Sequence, residues 1–249
     1  MTRLAVLSDI HGNTRALETV LAQVTDVDAV LNLGDILSGA VDPRGTLDLL
    51  AARPDILTIR GNHERQILTF PRERMGASDR HAADLLTDGD RAWLANLPET
   101  LEPAPGMLAF HASPADDLRY LNETVTPDGL RPATKAEIMD RLGDAYGAFR
   151  LFLCGHSHLP RVVELPDGSL VVNPGSVGWP AYDDDEPLPH IVETGSPHAR
   201  YAVLDDSDGT WHVDLRTTTY DAEWAARLAE AHGRSDIAHQ LRTGRVTPV

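Results

Sequence analysis

Five short apolar runs in this chain end directly on residues that bind cations. LAVLS at 4–8 leads into Asp9 and His11, AVLNL at 29–33 into Gly34 and Asp35, and DILTIR at 55–60 into Gly61, Asn62, His63 and Glu64. MLAF at 107–110 leads into His111, and RLFLC at 150–154 into Gly155, His156, Ser157 and His158. A short continuous apolar run reads as a strand buried on both faces. Between the first runs lie amphipathic stretches, with Leu17, Val20, Leu21 and Val24 on one helical face and Leu47, Leu50 and Ala51 on another. Strand, helix, strand, helix, strand at this spacing implies right-handed βαβ crossovers and a parallel sheet. In such a sheet the carboxyl ends of the strands share one edge, and ligands bind in the crevice there. Residues far apart in sequence should therefore meet in space.

The remainder is read in the same way. Residues 64–104 have a mostly helical pattern, carried by Leu85, Leu86, Trp93, Leu94 and Leu97 and stopped by Pro98. Residues 114–148 form a second insertion with a helical stripe at Ile138, Met139 and Leu142. SLVVNPGSVG at 169–178, ARYAVLDD at 199–206 and TWHVDLRTTTY at 210–220 read as three further strands, and DAEWAARLAEAHG at 221–233 as a late helix. From about Thr243 there is no pattern. No Pro-rich or Gly/Ser-rich linker divides the chain, so one domain is expected over 1–249, with helical insertions at about 64–104 and 114–148.

Charge and cysteine usage restrict the partners. The net charge is −16, Lys135 is the only lysine, and no basic stripe is available to neutralise a phosphate backbone. That argues against bulk nucleic-acid binding and leaves room for a small phosphorylated substrate held by metals. No stretch of 18 apolar residues occurs, and the apolar run at the start is too short for a signal peptide, so no membrane association and a cytoplasmic location are expected. Cys154 is the single cysteine and cannot form an internal disulfide, which suits a reducing compartment; it reads as a buried core residue. Oligomeric state is not encoded in any pattern found.

Carboxylate oxygens and imidazole nitrogens suit divalent first-row metals, and this mixture exceeds what one tetrahedral zinc needs. Two metals fit better. Gly12, Gly34, Gly61 and Gly155 are expected to let the backbone turn sharply off the strands.

The series Asp9-x-His11, Gly34-Asp35, Gly61-Asn62-His63-Glu64, His111 and Gly155-His156-Ser157-His158 resembles the calcineurin-like metallophosphoesterases, in motif order across residues 8–158. NPGSVGWP at 173–180 resembles a segment of the small bacterial and archaeal members, and GDILSGAVDPRGTLDLL with HASPADDL resembles the phosphodiesterase or diadenosine-tetraphosphatase-related branch. The resemblance implies a four-layer α/β/β/α sandwich of two mixed sheets flanked by helices. It also implies that Asp9, His11 and His158 hold one metal, that Asn62, His111 and His156 hold the other, that Asp35 bridges them, and that His63 stays unligated and faces substrate. Mn2+ is the first expectation for both ions, and Fe, Zn, Co or Ni suit the same ligands.

The expected activity is hydrolysis of a phosphodiester or phosphomonoester by a hydroxide bridging the metals beside Asp35, with His63 as general acid. A third-ligand role for His63 is the rival reading. Asn13 and Asn62 are candidate substrate contacts, although Asn13 could equally cap the helix that follows it. Arg60 reads as a structural ion pair at least as well as a phosphate contact. Arg119, Tyr120 and the DDDE run at 183–186 are weaker candidates for the substrate cleft. His81, His190, His198, His212, His232 and His239 lack ligand spacing, and most of them are expected at the surface. Alternatives are a serine/threonine protein phosphatase or a dinucleoside-polyphosphate hydrolase, but these typically carry an arginine in GDxxDRG, where this chain has Gly39. A metal-binding scaffold is the non-enzymatic alternative.

Overall fold

A computed structural model describes residues 3–246. The chain begins β1 (Arg3–Leu7), α1 (Thr14–Gln23), β2 (Ala29–Asn32), α2 (Pro43–Ala51), β3 (Ile56–Thr58), α3 (Asn62–Thr69), α4 (Ala77–Asp84) and α5 (Asp88–Ala95). The middle carries β4 (Thr100–Leu101), β5 (Met107–Phe110), β6 (Glu123–Thr126), β7 (Gly129–Pro132), α6 (Lys135–Leu142), β8 (Leu151–Leu153), β9 (Arg161–Glu164) and β10 (Leu170–Asn173). Then follow β11 (Ala181–Asp184), β12 (His190–Glu193), β13 (Ala199–Asp205), β14 (His212–Thr218), α7 (Ala222–Ala231) and α8 (Ser235–Thr243).

Two five-stranded mixed sheets form the centre, ordered β14-β13-β1-β2-β3 and β4-β5-β8-β10-β9. Within them β1-β2-β3 and β5-β8-β10 run parallel, and the outer strands are antiparallel. Alternation along β1 builds the layers, because successive side chains point to opposite faces. Leu4 and Val6 meet Met107, Leu151 and Val172 of the second sheet, while Ala5 and Leu7 meet Leu17, Val20 and Leu47 of α1 and α2. Each fully buried leucine of this kind contributes about 1.5–3 kcal/mol. On the far side Ile138 and Leu142 of α6 cover Phe110 and Phe152. The result is the four-layer α/β/β/α sandwich. The pair α7 and α8 packs beside it on Ala40 and Val41.

Several local expectations are corrected. The insertion at 114–148 is helical only at α6; before it β6 and β7 pair as a hairpin. Thr124, Val125 and Thr126 favour a strand, and Pro127-Asp128-Gly129 is a turn sequence that outweighs the helical stripe further on. Leu85 is 41 % exposed because α4 ends at Asp84, and Ala51 is likewise exposed at the end of α2. β9, the β11–β12 hairpin and α8 were not anticipated; α8 is mostly polar and buries only Ile237, Ala238, Gln240 and Leu241. Gly244, in the left-handed conformation, ends α8, and 247–249 lie outside the described residues.

Candidate metal centre

The ligand candidates sit at the carboxyl ends of parallel strands from both sheets. Beyond β1 and β2 the two chains stay bonded, with Asp9 N–H donating to the Gly34 carbonyl at 3.0 Å and His11 N–H to that of Asp35 at 3.0 Å. Among the described residues, the non-glycine positions with positive φ are Asp9 (56°), His11 (49°), Asp35 (52°), His156 (67°) and His158 (59°). All belong to the expected ligand set. A left-handed conformation costs such a residue on the order of 1–3 kcal/mol, so it persists only where surrounding bonds enforce it.

Those bonds are visible. Glu64, fully buried, accepts from Asp35 N–H at 2.9 Å and Gly61 N–H at 3.1 Å on one oxygen. Its other oxygen accepts from Ile36 N–H at 2.8 Å and Leu37 N–H at 3.3 Å. The Asp9 carboxylate accepts from His156 N–H at 3.1 and 3.2 Å, and Asp35 Oδ1 from His63 N–H at 3.0 Å. Gly34 does turn with φ of +94°, and a Cβ there would lie 2.4 Å from the Gly61 nitrogen. Gly155 has another reason to be glycine. It has no positive φ, but a Cβ would lie 1.9 Å from Ser8 Oγ. Close approach, not turning, also explains Gly61.

Four histidines share one pattern of hydrogen bonding. His11 Nδ1 lies 2.5 Å from the Ser38 carbonyl oxygen, His158 Nδ1 2.7 Å from that of Trp179, His111 Nδ1 2.8 Å from that of Leu33, and His156 Nε2 3.0 Å from that of Leu118. A carbonyl only accepts, so each of these nitrogens carries the proton and the neutral ring offers a lone pair on its other nitrogen. Those lone pairs face acceptors. His11 Nε2 and His158 Nε2 are 3.0 Å apart, with the Asp9 carboxylate 3.4 Å from the latter. The Asn62 amide oxygen lies 3.0 Å from both His111 Nε2 and His156 Nδ1 and 3.2 Å from Asp35 Oδ2. Turning the Asn62 amide over would satisfy the second group by hydrogen bonding, but the first has no amide to turn. Two groups of converging acceptors, with each imidazole anchored from behind, fit divalent cations.

Protonation follows the same logic. Burial pushes the His11 pKa down to about 3 and that of His156 down to about 4, so both rings are neutral ligands. Burial also opposes charge on Asp9, but His158 brings its pKa down to about 2. Burial disfavours a proton on His111 too, yet the Asp35 carboxylate at 3.1 Å pushes its pKa up to about 10. A proton there would serve as the poorer substitute for a cation. Asp35 Oδ2 is also 4.0 Å from His11 Nε2, so one carboxylate reaches both groups. Potential cation sites combine Asp9, His11 and His158, or Asp35, His111 and His156.

His63 differs from the other four. Its Nδ1 donates to the Asp79 carboxylate at 2.8 Å, and its Nε2 stands 4.0 Å from Asp35 Oδ2. Burial opposes a proton on the ring, but Asp35 and Asp79 push its pKa up to about 9. His63 Nε2 is also within 4.8 Å of ligand atoms of His11 and Asp35, so the geometry alone leaves it within reach of a cation.

A cavity of 690 Å³ opens over this floor, with His11, Asp35, Asn62, His63, His156 and His158 along it. Its upper wall includes Arg119, Tyr120, Trp179, Tyr182, Asp183 and Asp184, so the DDDE run does border the cleft. Asn13 does not. It is fully buried, caps α1 by accepting from Ala16 N–H, and donates to the Gly178 carbonyl and the Tyr220 hydroxyl, each at 3.0 Å. Its hydrogen-bonding capacity is spent away from the cavity, which corrects the substrate-contact expectation. Arg60 is turned away into an ion pair with Glu99. Of the six histidines without ligand spacing, His190 is the one that is buried, and its Nε2 lies 2.9 Å from the Tyr120 hydroxyl.

The profile of the calcineurin-like phosphoesterase superfamily domain matches residues 2–196. The chain belongs to that superfamily. The metallophosphoesterase of Sphaerobacter thermophilus superposes with a TM-score of 0.73 at 22 % identity, covering 97 % of this chain and 99 % of the other. The hypothetical protein PH1004 of Pyrococcus horikoshii OT3 superposes with a TM-score of 0.76 at 18 % identity, covering 99 % and 100 %. The uncharacterized protein MJ0912 of Methanocaldococcus jannaschii is 24 % identical over 242 residues, 89 % of each chain. In this member of the superfamily, sequence reasoning missed what Glu64 and Asp79 do. Glu64 stands at the third position of α3 and accepts from the N–H of its cap, a legible helix-start signal. Asp79 had no such signal, since only folding brings α4 to His63. No helix among the described residues is long and apolar enough to cross a membrane.

Proposed function

We propose that the protein hydrolyses a phosphodiester with two divalent cations, Mn2+ first among them. Asp9, His11 and His158 would hold one ion, Asn62, His111 and His156 the other, and Asp35 would reach both. The observation that carries this reading is the set of four imidazoles tied through their N–H groups to backbone carbonyls, with their lone pairs turned onto other acceptors. Bound cations supply Lewis acidity toward the phosphoryl oxygens and an activated water at neutral pH. The chain's own residues do the rest. Glu64 fixes the loop that carries Asp35, and the His156 N–H fixes the Asp9 carboxylate. His63, oriented by Asp79, presents Nε2 to the cavity and delivers its proton to the departing alkoxide.

Two features favour a diester over a monoester. The second charge of a monoester calls for a further cation; of the two arginines lining the cavity, Arg141 is buried among carbonyl acceptors and Arg119 is half exposed beside Asp140. Arg119 pairs with Asp140 at 3.3 Å, and Arg141 donates to the carbonyls of Tyr120, Leu121 and Glu123. An arginine at position 39, as in the protein phosphatases, has no room, because a Cβ there would lie 2.0 Å from the His11 carbonyl oxygen. The net charge of −16 supports a small substrate over bulk nucleic acid. The test compares turnover of bis(4-nitrophenyl) phosphate and 4-nitrophenyl phosphate by metal-loaded and metal-stripped protein. Metal-dependent cleavage with preference for the diester is expected. Preference for the monoester would overturn the diester assignment, and stoichiometric metal without turnover of either would favour a scaffold.

A further inference from the structure

The cavity continues well beyond the floor that would hold a phosphoryl group, and the chemistry of its upper wall is uneven. Five carboxylates outside the floor line it, those of Asp116, Glu123, Asp183, Asp184 and Glu186, against two guanidiniums. Among the described residues Arg119, half exposed, has only Asp140 beside it, at 3.3 Å, whereas Arg141 is engaged. Arg141, only 7 % exposed, also donates to Thr124 Oγ1 at 2.6 Å, in addition to its three carbonyl partners. Asp183, Asp184 and Glu186 make no ion pair among the described residues, and they sit together on β11 and the turn after it. Glu123 is 2 % exposed; its Oε1 pairs with Arg161 at 2.8 Å, leaving Oε2 buried without a hydrogen bond.

Aromatic rings share this wall. Trp179 and Tyr182 line the same cavity, and the Tyr182 hydroxyl is fixed 2.6 Å from that of Tyr120, which His190 holds in turn. Aromatic faces with carboxylates beside them attract ammonium groups, whereas a second phosphate would meet like charge.

Resting on the phosphodiesterase reading above, we propose that the wall formed by Trp179, Tyr182, Asp183, Asp184 and Glu186 selects a phosphodiester whose retained alcohol carries an ammonium cation. The leaving alcohol departs at the metal floor, and the retained alcohol extends into this wall. Dinucleoside polyphosphates, with several anionic groups in a row, are disfavoured by the same carboxylates.

The test uses the metal-loaded protein and three diesters with one leaving group, 4-nitrophenolate, and different retained alcohols: choline, its neutral isostere 3,3-dimethylbutanol, and the anionic 3-hydroxypropanoate. The expected kcat/KM is about tenfold higher for the choline diester than for the neutral one, from a few partly exposed charge contacts, and lowest for the anionic one. Calorimetric titration with phosphocholine and 3,3-dimethylbutyl phosphate should give the same order of affinity without turnover. In Asp183→Asn/Asp184→Asn/Glu186→Gln the choline-to-neutral ratio should fall toward one. In Asp128→Asn/Asp167→Asn/Asp208→Asn, which removes as many charges away from the cavity, it should persist. If the first triple variant does not melt cooperatively, the single variants Asp183→Asn and Glu186→Gln must each lower the ratio. Equal rates on all three diesters, preference for the anionic one, or a ratio untouched by the wall variants would overturn this inference and leave the phosphodiesterase reading intact. Failure to cleave any of the three would overturn that reading and this one with it.

Discussion

Glu64→Gln should loosen the metal centre without touching a metal ligand. The carboxylate divides four backbone N–H groups between its two oxygens, Asp35 and Gly61 on one, Ile36 and Leu37 on the other. An amide keeps one acceptor oxygen, so two of those donors would face an NH2 group. Leaving a buried donor unsatisfied costs about 1–3 kcal/mol, giving about 2–6 kcal/mol for two. Part is returned, because burial and the neighbouring Asp35 charge already disfavour the ionised carboxylate and push its pKa up. A net loss of about 3 kcal/mol follows, or about 6–12 °C in Tm for a chain of this size. The assay is urea unfolding of metal-stripped wild type and variant at one pH, followed by Mn2+ titration of each. Metal affinity should fall as well, because Asp35 loses the bonds that hold its left-handed backbone. A stability change below about 0.5 kcal/mol with unchanged metal affinity would refute the assignment of Glu64 as the anchor of that loop.

Four further outcomes are expected. Asn13→Ala should cost about 2–4 kcal/mol, about 1 from the lost helix cap and about 0.5–1.5 from each of the two lost buried bonds to Gly178 and Tyr220, with KM unchanged; a raised KM would return Asn13 to the substrate site. His63→Asn should keep its metal content but lose about 10²–10⁴-fold in turnover of diesters with alkyl leaving groups, and much less with 4-nitrophenolate; an equal loss on both would remove the acid role. Saturating metal at about one hundred times its Kd should add about 2.7 kcal/mol of stability per ion, about 5 kcal/mol for two, so chelation should lower Tm by about 10–20 °C, and an unchanged Tm would count against a buried site. Gly39→Ala should abolish metal retention, because the new methyl group would collide with the His11 carbonyl at 2.0 Å; normal metal content in the variant would show that this contact yields easily.

The parts of the fold that were legible are those whose residues answer to one period. Leu4, Val6, Leu31 and Leu33 alternate into the space between the sheets, and Leu17, Val20 and Val24 repeat as a helix face. The ligand set could be read because each member directly follows such a run. The β6–β7 hairpin was masked by a helical stripe nearby, and α8 by its polar composition. Two kinds of information were out of reach. Backbone strain at Asp9, His11, Asp35, His156 and His158 could not be read locally: aspartate and histidine are enriched at positive φ, but too weakly to single out these five among the chain's many aspartates and histidines. Tertiary partners such as Asp79 for His63, or Tyr220 and Gly178 for Asn13, depend on segments far apart in the chain. Asn13 illustrates the limit well: the cap was visible locally, but the two tertiary bonds that exhaust its amide were not.

The central claim is that two cations share the Asp35 carboxylate, and anomalous diffraction from crystals grown with Mn2+ measures this directly. Two anomalous peaks about 3.5–4 Å apart are expected. One should lie among Asp9, His11 and His158, the other among Asn62, His111 and His156, with Asp35 between them. A single peak, or two peaks that leave the His11 and His158 nitrogens facing each other without an ion, would contradict it.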